Sequence, residues 1–295
     1  MHRRLTLTLF SFLLPALASA GGAWVPNPGD GSFNLGYSRK HAAASWDAFG
    51  ERFDNPSQHD FRYAYLSGDV GIVRNLSGQF LVTWLDGYEG PPDDQERNTG
   101  FSDSWFGLKY QFAHGRVPMS IGASLRTPML YDREGPYNRY VFDSTGRRAG
   151  LSDEWRGVLK YDYTIAYLAS HSFDLAGSWV NFAIGYTWRT GAPADQIPVS
   201  IDGGYPLPWL GAAVKAEALY IRSRGNDSVR LPDDRFGSNP TFSFNRASMG
   251  RVGLGLIVPF GPGRLWNVEV GYNKWLWGRS ARRYQEPYFS VGRAF

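Results

Sequence analysis

The chain has 295 residues, no cysteine and a formal net charge of +4. The missing thiols exclude a disulfide framework and a thiolate metal site, and the formal charge, which falls to +2 without Arg3 and Arg4, implies no basic face for nucleic acid. Its 35 Gly, 19 Phe, 17 Tyr and 11 Trp at a mean hydropathy of −0.35 fit a membrane β-barrel, in which only alternate residues face lipid, aromatics form girdles and glycines let the sheet bend.

In chain order, residues 1–20 read as a cleavable signal peptide: basic His2, Arg3 and Arg4, an apolar run from Leu5 to Ala18, and the A-x-A site Ala18-Ser19-Ala20. The run is shorter than the ~20 residues of a helical span. Residues 21–30 form a short leader, expected either to be disordered or to tuck into a lumen. Residues 31–295 divide into about twelve strand-like segments whose connectors alternate long and short. Outer-membrane barrels sort their loops in this way, long outside and tight on the periplasmic side. The short connectors are Arg74–Gly78, Ala113–Val117, Ser170–Gly177, Pro206–Trp209 and Gly261–Leu265. The long ones are His41–Asp60, Gly90–Gly100, Pro128–Asp153, Gly191–Gln196, Ser223–Asn245 and Arg279–Glu286. The fold class expected is therefore all-β, a single closed antiparallel transmembrane barrel.

Period-two alternation assigns the faces of most strands. Met119, Ile121, Ala123 and Leu125 oppose Ser120, Gly122, Ser124 and Arg126. Val180, Phe182, Ile184, Tyr186 and Trp188 oppose Asn181, Ala183, Gly185, Thr187 and Arg189. The stretches Asp103–Phe112, Trp155–Leu168, Ala212–Ile221, Arg251–Phe260 and Trp266–Asn273 alternate likewise. Phe61–Val73 allows two registers, of which Ala64, Leu66, Val70 and Ile72 outward is favoured. Gln79–Tyr88 and Ile197–Tyr205 have no clear face. The last strand ends in Phe295, with Phe289 and Val291 on the same side. A terminal aromatic strand of this kind resembles the signal read by the outer-membrane assembly machinery. Arg293 departs from that pattern and is expected to snorkel to the headgroups.

This alternation turns a mixed set of side chains inward. The candidate pore-lining residues are Tyr63, Tyr65, Asp69, Trp105, Lys109, Arg126, Lys160, Asp162, Arg189, Lys215, Glu217, Arg251 and Glu269, and Arg156 falls on the same face. Their charges allow two readings: a structural network that pairs strands across the lumen, or groups that tune the selectivity of a narrow polar pore. Catalytic motifs are scarce. Ser170-His171-Ser172 superficially matches a hydrolase pair but falls in an expected periplasmic turn. Asp93-Asp94 and Asp233-Asp234 read as solvated loop acids with a loop-bound cation as the alternative. No metal site, cofactor or enzymatic activity is expected.

Gly22-Ala23-Trp24, Trp105–Tyr110 (WFGLKY), Ser124–Pro128 (SLRTP) and Gly185–Asp195 (GYTWRTGAPAD) carry a resemblance to proteobacterial outer-membrane transport barrels of the meta-pathway phenol-degradation type and to the XagA-like proteins found near exopolysaccharide genes. The resemblance implies an outer-membrane location and a passive channel, and it assigns no functional residues. The expected function is a passive channel for small molecules, with hydrophobic or aromatic compounds as one class. The alternatives are a barrel that helps export or anchor an exopolysaccharide, and a non-conducting structural or adhesive barrel. Outer-membrane lipid, lipopolysaccharide and the assembly machinery are the expected partners, with no nucleic acid.

Overall fold

A computed structural model describes residues 22–90, 96–128, 140–142, 148–151, 161–173, 177–190, 194–225, 230–232, 241–243 and 246–295. Twelve strands form one closed antiparallel barrel. They are β1 (Gly31–Trp46), β2 (Arg52–Val73), β3 (Leu76–Gly90), β4 (Ser104–Ala113), β5 (Met119–Thr127), β6 (Asp162–Ser172), β7 (Trp179–Arg189), β8 (Asp195–Leu207), β9 (Ala212–Arg224), β10 (Ser248–Phe260), β11 (Trp266–Arg279) and β12 (Gln285–Ala294). Each pairs with its sequence neighbour, and β12 closes on β1 in a register from Ser32 opposite Ala294 to His41 opposite Gln285. Closure leaves no free edge, which lipid would penalise with unpaired backbone groups.

The period-two pattern decides which face meets lipid. Leu254 is 65% exposed, Ile165 51% and Ile121 49%, because the natural solvent of this surface is hydrocarbon rather than water. The expected register of β2 holds: Ala64, Leu66 and Ile72 are exposed while Tyr63, Tyr65 and Asp69 turn inward. The pairing also fixes the two ambiguous strands. Gln79 lies opposite inward Asp69, and Asp202 opposite inward Asn181, so these side chains share the inner face. Aromatic pairs border the apolar band. Phe33 meets Trp266 and Phe295 at the end with the short turns, while Tyr186–Trp188 and Tyr220–Trp277 lie towards the other end. Arg293 sits in the girdle at the short-turn end with its guanidinium 5.1 Å from the Trp266 ring centre, a stacking that accommodates a cation at the edge of an apolar band.

The connectors differ from the expected boundaries. The first long connector, His41–Asp60, is mostly strand: β1 runs to Trp46, β2 begins at Arg52, and only residues 47–51 turn. Asp47 makes that turn, its Oδ1 accepting from the backbone N–H of Phe49 and Glu51. In Gly90–Gly100 the described residues from Glu96 are strand, with Glu96–Phe101 paired on β3. In Arg279–Glu286, Ala281–Arg282 pairs with β1, and Gln285 and Glu286 already belong to β12. Strands that continue past the membrane lose the lipid-facing apolar residues that reveal a strand, so the sequence reads as loop. Among the short connectors, Ser170–Ser172 is the end of β6 rather than turn, and the strand expected over Trp155–Leu168 is described only from Asp162. The tight β2–β3 turn places Asn75 at φ 68, a left-handed conformation asparagine tolerates. The signal segment 1–20, Asp93-Asp94, Asp233-Asp234, Arg156 and Lys160 lie outside the described residues.

Candidate functional site

The inner face is polar and charged, and its groups come from every side of the barrel. On the β4–β7 side, Arg126 Nη2 lies 2.5 Å from Asp103 Oδ2 and its Nη1 3.4 Å from Asp162 Oδ2, with Arg189 Nε 3.5 Å from the same Asp162 oxygen. The Arg126 guanidinium also covers Trp105, 5.7 Å from the ring centre. On the β9–β12 side, Lys215 Nζ reaches Glu269 at 3.0 Å and Glu217 at 3.4 Å. Arg251 bridges Glu217 at 2.9 Å and Glu286 at 3.4 Å. Lys40 of β1 continues the chain to Glu286 at 3.8 Å and stands over the Tyr63 ring. Tyr288 donates to Glu269, and Tyr65 bonds Ser290. Nearer the short-turn end, Lys109 Nζ sits 2.6 Å from Asp69 Oδ2. Each inner-face cation named here therefore has a carboxylate within ion-pair distance, as buried charges require.

All the sequence candidates within the described residues thus face inward: Tyr63, Tyr65, Asp69, Trp105, Lys109, Arg126, Asp162, Arg189, Lys215, Glu217, Arg251 and Glu269. They fall into three groups, around Asp162, around Glu217 and Glu269, and at Asp69, rather than one ring. Sequence reasoning left out five partners. Asp103 sits on an inward-facing position but just before β4. Asp202 lies on a strand of undecided face. Glu286 falls at the end of the expected connector Arg279–Glu286. Lys40 lies past the part of β1 with clear alternation, and Tyr288 shares the terminal strand with its lipid-facing residues.

The leader occupies the end of the lumen that carries the short turns, and the described part of residues 21–30 tucks into the lumen. Ala23 is fully buried. Its backbone N–H donates to Ser170 Oγ at 2.7 Å, and its carbonyl accepts from Ser120 Oγ. The Gly22 carbonyl accepts from Lys109 Nζ, and the Val25 N–H donates to Gln111 Oε1. Trp24 packs on Trp179, Ala213 and Ile257, and Pro28 forms a β-bridge with Gly71. Buried backbone without a strand partner must find side-chain partners, and these inner-face residues supply them. Ser170 is thus a leader contact that also donates to Asn181. His171 points the other way and binds the Arg116 carbonyl through Nδ1 at 2.7 Å, so the serine and imidazole of the superficial hydrolase pair are on opposite faces.

Above the leader the two halves of the wall differ. Gly122, Ser124, Thr164, Ala166, Ala183, Gly185 and Ser200 line the inner face of β5–β8, and all are partly exposed. Strand order sets this small-residue wall opposite β11, β12, β1 and β2, which carry Tyr288, Tyr65 and Tyr63. Trp105 points inward yet is 36% exposed. Solvent therefore reaches the inner face over this stretch.

No family model matches the sequence, and no curated protein matches it. Among solved structures, the COG4313 outer membrane channel from Pseudomonas putida F1 superposes with a TM-score of 0.68 at 11% identity, covering 93% of this chain and 98% of that one. The translocator domain of the autotransporter NalP from Neisseria meningitidis gives 0.51 at 10% identity, covering 98% and 95%. The β domain of the Bordetella autotransporter Brka gives 0.50 at 10%, covering 90% and 100%. At these identities the likeness establishes the fold, that of outer-membrane β-barrels.

Proposed function

We propose that this chain is an outer-membrane channel that conducts small solutes passively, exported by the signal in residues 1–20 and inserted by machinery that reads the strand ending at Phe295. One observation carries the reading. The inner wall of β5–β8 is built from small residues that solvent reaches, facing a tyrosine-bearing wall across the barrel. A barrel serving only as scaffold has no need to keep its interior wet, because side chains can fill it. The likeness to a protein named as an outer membrane channel supports the same direction. Balanced ion pairs along the path disfavour net charge in the solute, and Trp105, Tyr63 and Tyr65 offer ring faces to it. The class that fits is small, uncharged and partly aromatic.

Proteoliposome uptake tests this. Vesicles carrying the refolded protein should admit a small neutral aromatic alcohol faster than protein-free vesicles and exclude a trisaccharide. Equal rates with and without protein, after subtracting bilayer leakage, overturn the proposal. A non-conducting scaffold is the second reading. It is favoured by the closeness of the ion pairs and by the leader filling part of the lumen, and it predicts those equal rates.

A further inference from the structure

The leader crosses the wall strand by strand. Pro28 bridges Gly71 of β2, the Val25 N–H donates to Gln111 of β4, and Ala23 binds Ser120 of β5 and Ser170 of β6. Gly22 then packs on Asn181 of β7, where a Cβ would stand 3.1 Å from Asn181 Oδ1, while Lys109 reaches over to the Gly22 carbonyl. Asn181 is in register with Asp202 of β8 and donates from Nδ2 to Asp202 Oδ2 at 2.8 Å. A chain cut after Ala20 begins at Gly21, one residue or about 3.8 Å of chain before Gly22.

Asp202 differs from the other inner-face carboxylates of the described strands. Asp69, Asp103, Asp162, Glu217, Glu269 and Glu286 each have a cation within ion-pair distance. Asp202 is 6% exposed and has no ion-pair partner among the described residues, where the Asn181 amide is its one side-chain hydrogen bond. Lys215 on the neighbouring β9 is held by Glu269 and Glu217, and Lys109 by Asp69. A carboxylate buried to this depth calls for a cation, and the inner-face cations named above are committed to other acids.

We infer that removal of residues 1–20 supplies the missing cation: the α-ammonium created at Gly21 pairs with Asp202 and anchors the tip of the leader to β8. In the uncut chain the same nitrogen is an uncharged amide, so the inner-face charge balances only in the processed protein. The backbone bonds of the leader to Ser120, Ser170 and Lys109 need no free terminus; the Asp202 pair does, and it ties the seating of the leader to maturation. The ligand of Asp202 is thus the chain's own terminus rather than a solute cation. The inference rests on the export reading for the cut after Ala20 and not on conduction.

The test reads the reactivity of that amine. The mature chain, beginning at Gly21 and refolded, is treated with acetic anhydride at neutral pH, and acetylation of the α-amine is followed by the mass of the N-terminal peptide. Only the neutral amine reacts, and a facing carboxylate holds it in the ammonium form, so Asp202→Asn should speed this acetylation at least about tenfold. A chain that keeps Ala20 as its first residue moves the amine by one position and should also react at least about tenfold faster than the mature chain, which decides the question if the asparagine variant does not refold. An unchanged rate in a refolded Asp202→Asn barrel overturns the pairing, because burial alone then protects the amine, and an unchanged rate in the chain that keeps Ala20 overturns it as well. An exported protein whose mass shows a first residue other than Gly21 removes the cut on which the inference stands and overturns it too. Current is read separately: a slow amine, released by Asp202→Asn, in a protein that carries no current defeats the channel reading alone.

Discussion

Replacing Lys109 with methionine probes the contact that ties leader to wall. Its side chain is 0% exposed, with Nζ 2.6 Å from Asp69 Oδ2 and 3.2 Å from the Gly22 carbonyl. Methionine keeps most of the length and apolar volume but removes the charge and the donors. Asp69 then retains Gln79 Nε2 at 2.9 Å on Oδ2, while its Oδ1 already lacks a partner among the described residues. Breaking a buried ion pair from one side costs about 3–5 kcal/mol, and the Gly22 carbonyl loses a bond worth about 1 kcal/mol. Lys109→Met should therefore destabilise the barrel by about 5 kcal/mol. Lys109→Met combined with Asp69→Leu removes both charges and should recover all but about 1–2 kcal/mol of that loss. Equilibrium unfolding of refolded protein in lipid vesicles, followed by tryptophan fluorescence, measures both. A single variant within about 1 kcal/mol of wild type, or a double variant no better than the single, refutes the claim that this pair is dry and charged.

On the lipid face, Ile184→Arg should cost roughly 2–4 kcal/mol in the same assay, since Ile184 is an exposed outer residue of a mid-barrel strand; a near-neutral result contradicts its depth. Arg126→Glu or Arg189→Glu places a further carboxylate beside Asp162 and should shift ion preference towards cations in reversal-potential measurements, whereas unchanged preference removes these arginines from the path. Trp24→Ala withdraws the indole from Trp179, Ala213 and Ile257 and should raise single-channel conductance while leaving the barrel folded. Conductance at or below the wild-type level contradicts the leader's role in narrowing the lumen.

Much of this was legible in the sequence, and what was not has physical causes. Alternation located the faces of β5, β7 and β10 because lipid on one side and water on the other impose opposite demands on neighbouring residues. That contrast also placed Arg126, Arg189 and Lys109 inside. It fades where both faces meet water, so the upper parts of β1, β2 and β3 read as loops and Lys40 and Glu286 were missed. The fate of the leader was beyond reach for a different reason. Ala23 and Ser170, 147 positions apart, carry no mutual signal in a single sequence, and residues 22–30 have no periodicity to betray a buried segment. Which inward charge pairs with which depends on strand order and register, and only the closed barrel brings Lys215 of β9 to Glu269 of β11.

Single-channel recording of the wild-type protein in planar bilayers tests the central claim most directly. A wet lumen narrowed by the leader predicts small, discrete current steps with weak ion preference, because the inner-face charges named here are paired. Repeated insertions of protein with verified β-structure that give no steps at all would contradict it.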